Sequence, residues 1–179
     1  MQSPELSQDY FELFGLNPVF DIDPTLLNAA QQRLQASHHP DRHVSSNEQD
    51  KRLSVQIASR VNQAYETLRD PVKRSRYLLE INGATLPDDS ATTADTEFLM
   101  EQIELREAVE ACRQGEGALA RSEAIETRLE QRAAELAREF VKRFEAGRFD
   151  EAIESSRKMQ FVQRIQQQLD ELQFELEDF

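Results

Sequence analysis

The spacing of the apolar residues is the feature that most constrains the fold of this chain. Along most of its 179 residues they recur at every third or fourth position, the period of one helix face, rather than at every second position as in a half-buried strand. Five glycines and six prolines leave few breaks in this pattern, and 39% of the residues are hydrophobic. That content is enough to build buried cores. The sequence therefore predicts an all-α protein.

The charge of the chain is acidic and unevenly distributed. The formal net charge is −13; residues 1–82 carry 9 Lys and Arg against 11 Asp and Glu, whereas residues 83–179 carry 12 against 23. Nucleic acids and anionic membranes are bound through a local excess of Lys and Arg. The charge therefore disfavours both and favours proteins as partners.

The single cysteine, Cys112, excludes an intramolecular disulfide and a multi-cysteine metal site built by this chain alone. The N-terminal sequence MQSPELSQDYFELFG has no basic region followed by an apolar run. No stretch approaches the roughly 20 apolar residues that a membrane span needs. We therefore expect a cytoplasmic protein.

Start and stop signals divide residues 1–83 into four helices. Asp23 followed by Pro24 favours a helix start, because Asp can cap free N–H groups and Pro has none at the first helical position. Ser46, with Gln49 three residues later, is a plausible capping box. The predicted helices run from Asp9 to Gly15, from Pro24 to about Ser37, from about Ser46 to Asp70, and from Pro71 to Asn82.

Residues 84–93, ATLPDDSATT, are polar and contain a helix breaker, so we interpret them as a linker. Three long helices are predicted after it, at about 94–114, 118–146 and 149–177. Because short connections make consecutive helices antiparallel neighbours, residues 94–179 are predicted to form a three-helix bundle. Its core should include Ile125, Leu129, Leu136, Phe140, Phe144, Val162, Ile165, Leu169, Leu172 and Leu176.

All three histidines lie in the segment SHHPDRH, residues 37–43. A metal site is one interpretation, but Pro40 forces an extended chain in which His38 and His39 point apart, and no second cluster supplies further ligands. A catalytic site is another, but the sequence has no nucleophile elbow, phosphate-binding glycine loop or paired acidic motif. A solvated turn between two antiparallel helices is the third. The loop alone does not choose among them.

The order of motifs around this loop resembles the J domain of co-chaperones. A short helix is followed by a helix ending in His39-Pro40-Asp41, a return helix containing NQAYETL, and then Asp70-Pro71 with Arg74 and Tyr77. In that family the HPD tripeptide docks on an ATP-dependent chaperone of the DnaK class and stimulates its ATP hydrolysis. The resemblance implies that residues 1–83 are a J domain.

The expected chaperone-docking residues are His39, Pro40, Asp41 and Arg33. Pro40 fixes the loop, and Asp41 can accept charge-assisted hydrogen bonds from an arginine of the partner. Arg33 would add a basic contact, although it could equally be an exposed solubilising residue. The chain departs from the family in having His38 where an aromatic residue is usual, and glutamines where helix two often carries several Lys or Arg.

The helix predicted after the linker carries two apolar faces. On a helical wheel Phe98, Leu105, Val109 and Cys112 form one stripe, while Leu99, Met100 and Ile103 face away from it. A helix in a three-helix bundle needs one apolar face, so the second predicts a protein-binding surface rimmed by Glu104, Arg106 and Glu107. The alternative is that Leu99, Met100 and Ile103 pack under the linker or against the first domain.

The segment TEFLMEQIELRE, together with SRKMQFVQRI and the terminal Asp178-Phe179, resembles the C-terminal domain of the HscB family of J-domain co-chaperones, in the bacterial form. That family serves iron-sulfur cluster biogenesis, and its C-terminal bundle binds the scaffold protein IscU and delivers it to the chaperone HscA. The resemblance implies a scaffold-binding surface formed by Leu99, Met100, Ile103, Glu104, Arg106, Glu107 and Phe161.

The combined expectation is a two-domain co-chaperone rather than an enzyme. It should stimulate the ATPase of HscA, deliver IscU to it, and need no metal or other cofactor. The alternative function is a general J-domain holdase for unfolded clients. Exposed apolar stripes would also allow weak self-association.

Overall fold

A computed structural model of the chain describes residues 4–37, 48–87, 95–113 and 117–177, which contain eight α-helices and no β-strand. Their bounds are α1 Pro4–Ser7, α2 Tyr10–Phe14, α3 Pro24–Ser37, α4 Glu48–Arg69, α5 Pro71–Ile81, α6 Thr96–Glu110, α7 Ala118–Glu145 and α8 Phe149–Glu177. The chain divides into two compact units, Met1–Asn82 and Gly83–Phe179. The all-α prediction is confirmed.

In the N-terminal unit α3 and α4 form an antiparallel pair. Tyr65 near the end of α4 donates a 2.8 Å hydrogen bond from its hydroxyl to Asn28 near the start of α3. Gln35 near the end of α3 donates a 3.4 Å hydrogen bond to Asn62, earlier in α4. The core between the helices is built from Phe11, Phe14, Leu27, Ala30, Ile57, Val61, Ala64, Leu68, Leu78 and Leu79.

Helix α2 is fixed at both ends and across its face. Asp9 and Glu12 form a capping box at its start, and Gly15, at φ 67°, ends it in the left-handed region that glycine adopts without strain. The Tyr77 hydroxyl of α5 accepts a 2.9 Å hydrogen bond from the Tyr10 N–H, and the two rings stack with centroids 4.4 Å apart. The guanidinium of Arg60 lies 5.3 Å from the Tyr10 ring centroid.

Arg74 ties α5 to the end of α4. It is buried, donates a 2.5 Å hydrogen bond to the Leu68 carbonyl, and places its guanidinium 4.9 Å from the centroid of Phe20. Burial lowers the pKa of Arg74. The nearby negative charges of Asp21 and Asp70 act in the opposite direction and raise it, but burial has the larger effect. Arg74 and Tyr77, which the sequence grouped with the J-domain motifs, therefore hold the N-terminal unit together.

In the C-terminal unit α7 and α8 form a long antiparallel hairpin. Arg143 of α7 donates a 2.6 Å hydrogen bond to Ser155 near the start of α8, and Gln173 near the end of α8 donates a 3.1 Å hydrogen bond to Glu126. Helix α6 packs on this hairpin and completes the predicted three-helix bundle. Its core includes Phe98, Leu105, Val109, Leu129, Leu136, Phe140, Val162, Ile165, Leu169 and Leu172.

The predicted elements differ from the structure in a few places. Helix α1 was not predicted from the sequence, and α6 ends at Glu110 rather than near residue 114. Ile125, Phe144 and Leu176, expected in the core, are half-buried. Residues 84–87 of the predicted linker are neither helix nor strand, and residues 88–93 lie outside the described part. The Ser46 cap and the histidine loop also lie outside it.

We predict that Tyr77→Phe lowers the free energy of unfolding of the N-terminal unit by about 1 kcal/mol, because the Tyr10 N–H loses its acceptor while the stacked ring remains. Urea unfolding followed by tyrosine fluorescence measures this directly, since all three tyrosines lie in residues 1–82 and two remain in the variant. Tyr65→Phe, which removes a hydroxyl from an exposed hydrogen bond, is the matched control. Equal stabilities of Tyr77→Phe and the natural protein would contradict the assigned role.

Candidate functional site

Helix α6 buries one of its two apolar faces and exposes the other. Phe98 is 3% exposed and Leu105 1%, whereas Met100 is 60% exposed and Ile103 55%. Leu99 lies between the two faces and is half-buried. We call the exposed face, with its neighbours Glu104 and Glu107, the α6 surface. An exposed apolar strip with a charged rim is the composition of a protein-binding site rather than of a catalytic pocket.

Two aromatic side chains fix α6 on α8. The Phe98 and Phe161 rings meet edge to face with centroids 5.6 Å apart and an interplanar angle of 84°, a favourable aromatic geometry. Lys158 of α8 lies with its ammonium 5.1 Å from the Phe98 centroid and pairs at 2.5 Å with Asp95. Asp95 in turn accepts a 3.1 Å hydrogen bond from the Phe98 N–H and so caps α6.

The Asp95 carboxylate is held ionised by these contacts. The hydrogen bond from Lys158 lowers the pKa of Asp95 most, followed by the hydrogen bond from the Phe98 N–H. The same carboxylate therefore sets both the start of α6 and its register on α8.

Arg106 lies between the α6 surface and the contact that Phe98 makes with Phe161. Its guanidinium lies 5.2 Å from the centroid of the Phe161 ring, within the range of a cation–π interaction. Arg106 itself is exposed, and Phe161 is 9% exposed. Among the predicted scaffold-binding residues, Phe161 is thus in the core beneath the surface, and the other six lie on α6.

Two grooves run along the sides of α6. The groove toward α7 has a volume of about 670 Å³, and its walls include Met100, Glu104 and Arg128. The Glu104 and Arg128 side chains approach to 3.7 Å across it. The groove toward α8 has a volume of about 540 Å³, with Arg106 and Glu107 on one wall and Glu171 on the other. The residues of α7 and α8 that line these grooves were not predicted from the sequence. A helical wheel of α6 shows which residues share a face of α6, but not which residues of other helices lie beside them.

The predicted chaperone-docking residues fall mainly outside the described part of the chain. His39, Pro40 and Asp41 lie in the segment between α3 and α4 whose placement is not described. Arg33 is exposed on α3, one turn before that helix ends at Ser37. The tripeptide thus stays a sequence-based prediction, with Arg33 positioned on the helix that leads to it.

Within the described residues, no helix is long and apolar enough to cross a membrane. No cluster of three or more His, Cys, Asp or Glu suited to a metal ion is found there either. Because all three histidines lie outside the described ranges, this does not test the histidine loop.

Two curated relatives, each named "Co-chaperone protein HscB homolog", come from Shewanella halifaxensis (strain HAW-EB4) and Azoarcus sp. (strain BH72). They are 37% and 39% identical to this chain over 90% and 93% of its length, and the match covers 94% of each relative. The chain belongs to the HscB family of co-chaperones. A family model described as the HSCB C-terminal oligomerisation domain also matches residues 94–170 of this HscB-family chain. The solved chaperone HscB from Vibrio cholerae is 31% identical, with a TM-score of 0.85 over 94% of this chain and 99% of that one.

Membership of the HscB family confirms the resemblance that was found in the sequence. It also confirms the predicted fold, a J-like domain followed by a C-terminal helical bundle. The relatives are named co-chaperones, and a co-chaperone works with a chaperone partner rather than as an enzyme. The roles of individual residues stay predictions.

Alanine substitutions at Phe161 and at Met100 should differ sharply in their effect on the free energy of unfolding. We predict that Phe161→Ala lowers the free energy of unfolding by about 3–5 kcal/mol, because it removes a buried ring from the contact between α6 and α8. Met100→Ala should change it by no more than about 0.5 kcal/mol, because Met100 is exposed. Urea unfolding followed by far-UV circular dichroism measures both. A Phe161→Ala protein as stable as Met100→Ala would contradict the buried position of the ring.

Proposed function

We propose that this chain is the co-chaperone of an iron-sulfur cluster assembly system, acting in the cytoplasm. It stimulates ATP hydrolysis by the DnaK-class chaperone HscA and delivers the scaffold protein IscU to it. The exposed α6 surface of an HscB-family chain is the observation that carries the proposal, because this apolar strip has no role in the core of its own bundle.

The α6 surface suits a folded protein partner better than an unfolded one. Met100 supplies an adaptable apolar contact, while Glu104, Glu107 and Arg106 provide charges in defined positions beside it. Residues 83–179 carry 12 Lys and Arg against 23 Asp and Glu, so a scaffold with a basic contact face would be attracted to this unit. These features favour delivery of one specific scaffold over general holding of unfolded clients.

The N-terminal unit supplies the second contact. The antiparallel pair of α3 and α4 has the arrangement in which a J domain presents its HPD tripeptide, and the segment joining the two helices contains His39, Pro40 and Asp41. Joining both binding sites in one chain raises the local concentration of the scaffold at the chaperone without any new contact. The protein thus acts as an adaptor.

If the HPD tripeptide docks on HscA, Asp41→Asn should abolish the stimulation of ATP hydrolysis by HscA. The neutral amide keeps the shape of Asp41 but loses the charge that would accept hydrogen bonds from a cationic chaperone residue. Steady-state ATP hydrolysis by HscA with IscU should then fall to the rate measured without co-chaperone. Glu80→Gln, an equivalent charge removal at an exposed position of α5, should stimulate normally. Full stimulation by Asp41→Asn would rule out the docking role.

The scaffold-binding role predicts that Met100→Ala with Ile103→Ala weakens the affinity for IscU about tenfold, because two exposed apolar anchors are truncated. Isothermal titration calorimetry gives the affinity. The matched control is Leu119→Ala with Phe174→Ala, which removes apolar side chains 43% and 68% exposed elsewhere in the same unit. If the control weakened binding and the α6 variant did not, the binding surface would have to be assigned to α7 and α8.

A further inference from the structure

Helix α4 carries an exposed apolar side chain in its second turn. Val55 is 61% exposed, whereas Ile57 and Val61 of the same helix are 4% and 1% exposed and belong to the core. Because α4 already packs on the core through these two residues, the core of the N-terminal unit does not account for Val55.

The position of Val55 along the α3–α4 pair follows from the contact between Gln35 and Asn62. This 3.4 Å hydrogen bond starts from a residue two positions before α3 ends at Ser37. Val55 precedes Asn62 by seven residues, which is about two helical turns, so it shares a face of α4 with Asn62 and lies roughly 10 Å further along the axis. Because the helices are antiparallel, Val55 lies past the end of α3, at the end of the pair that is joined by the segment containing the HPD tripeptide.

Two cations lie beside Val55 on the surface of α4. Lys51 and Arg52 precede it by four and three residues, the spacings of neighbours on a helix surface, and all three side chains are exposed. On α3, by contrast, Arg33 is the one charged residue. The basic residues that J domains often carry on helix two are thus found on α4 in this chain, at the end that leads to the tripeptide.

We propose that Val55 and Arg52 extend the chaperone-docking surface onto α4: Val55 packs against an apolar residue of HscA, and Arg52 pairs with a carboxylate next to that residue. This inference rests on the proposed function and adds two contacts to those of the tripeptide and Arg33. An apolar side chain with a charged neighbour is the composition of a protein interface. In a chain with a formal net charge of −13, adjacent exposed cations favour an acidic surface of the partner.

A titration of HscA with the co-chaperone separates binding from activation. At a fixed saturating concentration of IscU, Val55→Ala with Arg52→Gln should raise the co-chaperone concentration that gives half-maximal ATP hydrolysis roughly five- to tenfold. The maximal rate should stay the same, because the tripeptide is intact. Urea unfolding should show natural stability, since both side chains are exposed.

The matched control is Leu26→Ala with Arg69→Gln, which removes an exposed leucine and an exposed arginine at the opposite end of the same helical pair. This control should give the natural half-maximal concentration. The inference would be overturned if the α4 variant did the same, if the control shifted the concentration equally, or if the α4 variant lowered only the maximal rate.

Substitutions at Arg52 alone test the charge of the partner surface. Arg52→Glu should raise the half-maximal concentration more than Arg52→Gln does, because a carboxylate of HscA would repel it, and Arg52→Lys should stay closest to the natural value. Equal effects of Arg52→Glu and Arg52→Gln would contradict an acidic partner surface. If the two residues instead joined two copies of this acidic chain, the variants would change its sedimentation and not the titration of HscA. Absence of any stimulation by the natural chain would refute the proposed function itself.

Discussion

The docking of α6 on α8 decides which of the two apolar faces of α6 is left exposed. The edge-to-face contact between Phe98 and Phe161 fixes the rotation of α6, and the pair formed by Asp95 and Lys158 fixes its position along α8. A rotation of about 100°, the angle between successive residues of a helix, would bury Leu99 in place of Phe98. With the observed rotation, Met100 and Ile103 face away from the bundle. The exposure of the α6 surface is thus a consequence of a core contact.

In the N-terminal unit, too, a small number of specific contacts holds the helices in position. Tyr77 and Arg74 on α5 reach the backbone at Tyr10 and Leu68, so that one short helix secures both α2 and the end of α4. None of the three tripeptide residues His39, Pro40 and Asp41 takes part in these contacts, which join described residues of α2, α4 and α5.

The sequence predicted the elements and the buried face of α6 because helical periodicity determines which residues share a face. It missed α1, since four residues are too few to show a period. It extended α6 too far because no glycine follows Glu110 until Gly115, and Cys112 is buried although it lies beyond the helix. Phe161 was named through the family resemblance, and the register of α8 that brings its ring within 5.2 Å of the Arg106 guanidinium could not be predicted from the sequence because it depends on tertiary packing.

Methionine methyl NMR tests most directly the proposal that the α6 surface binds the scaffold. The chain has three methionines; Met100 is 60% exposed on this surface, and Met159 is 5% exposed in the core of the same unit. With ¹³C-methyl-labelled methionine, addition of IscU to saturation should shift or broaden the Met100 signal and leave the Met159 signal unchanged. A Met100 signal that stays unchanged while IscU is bound would contradict the account.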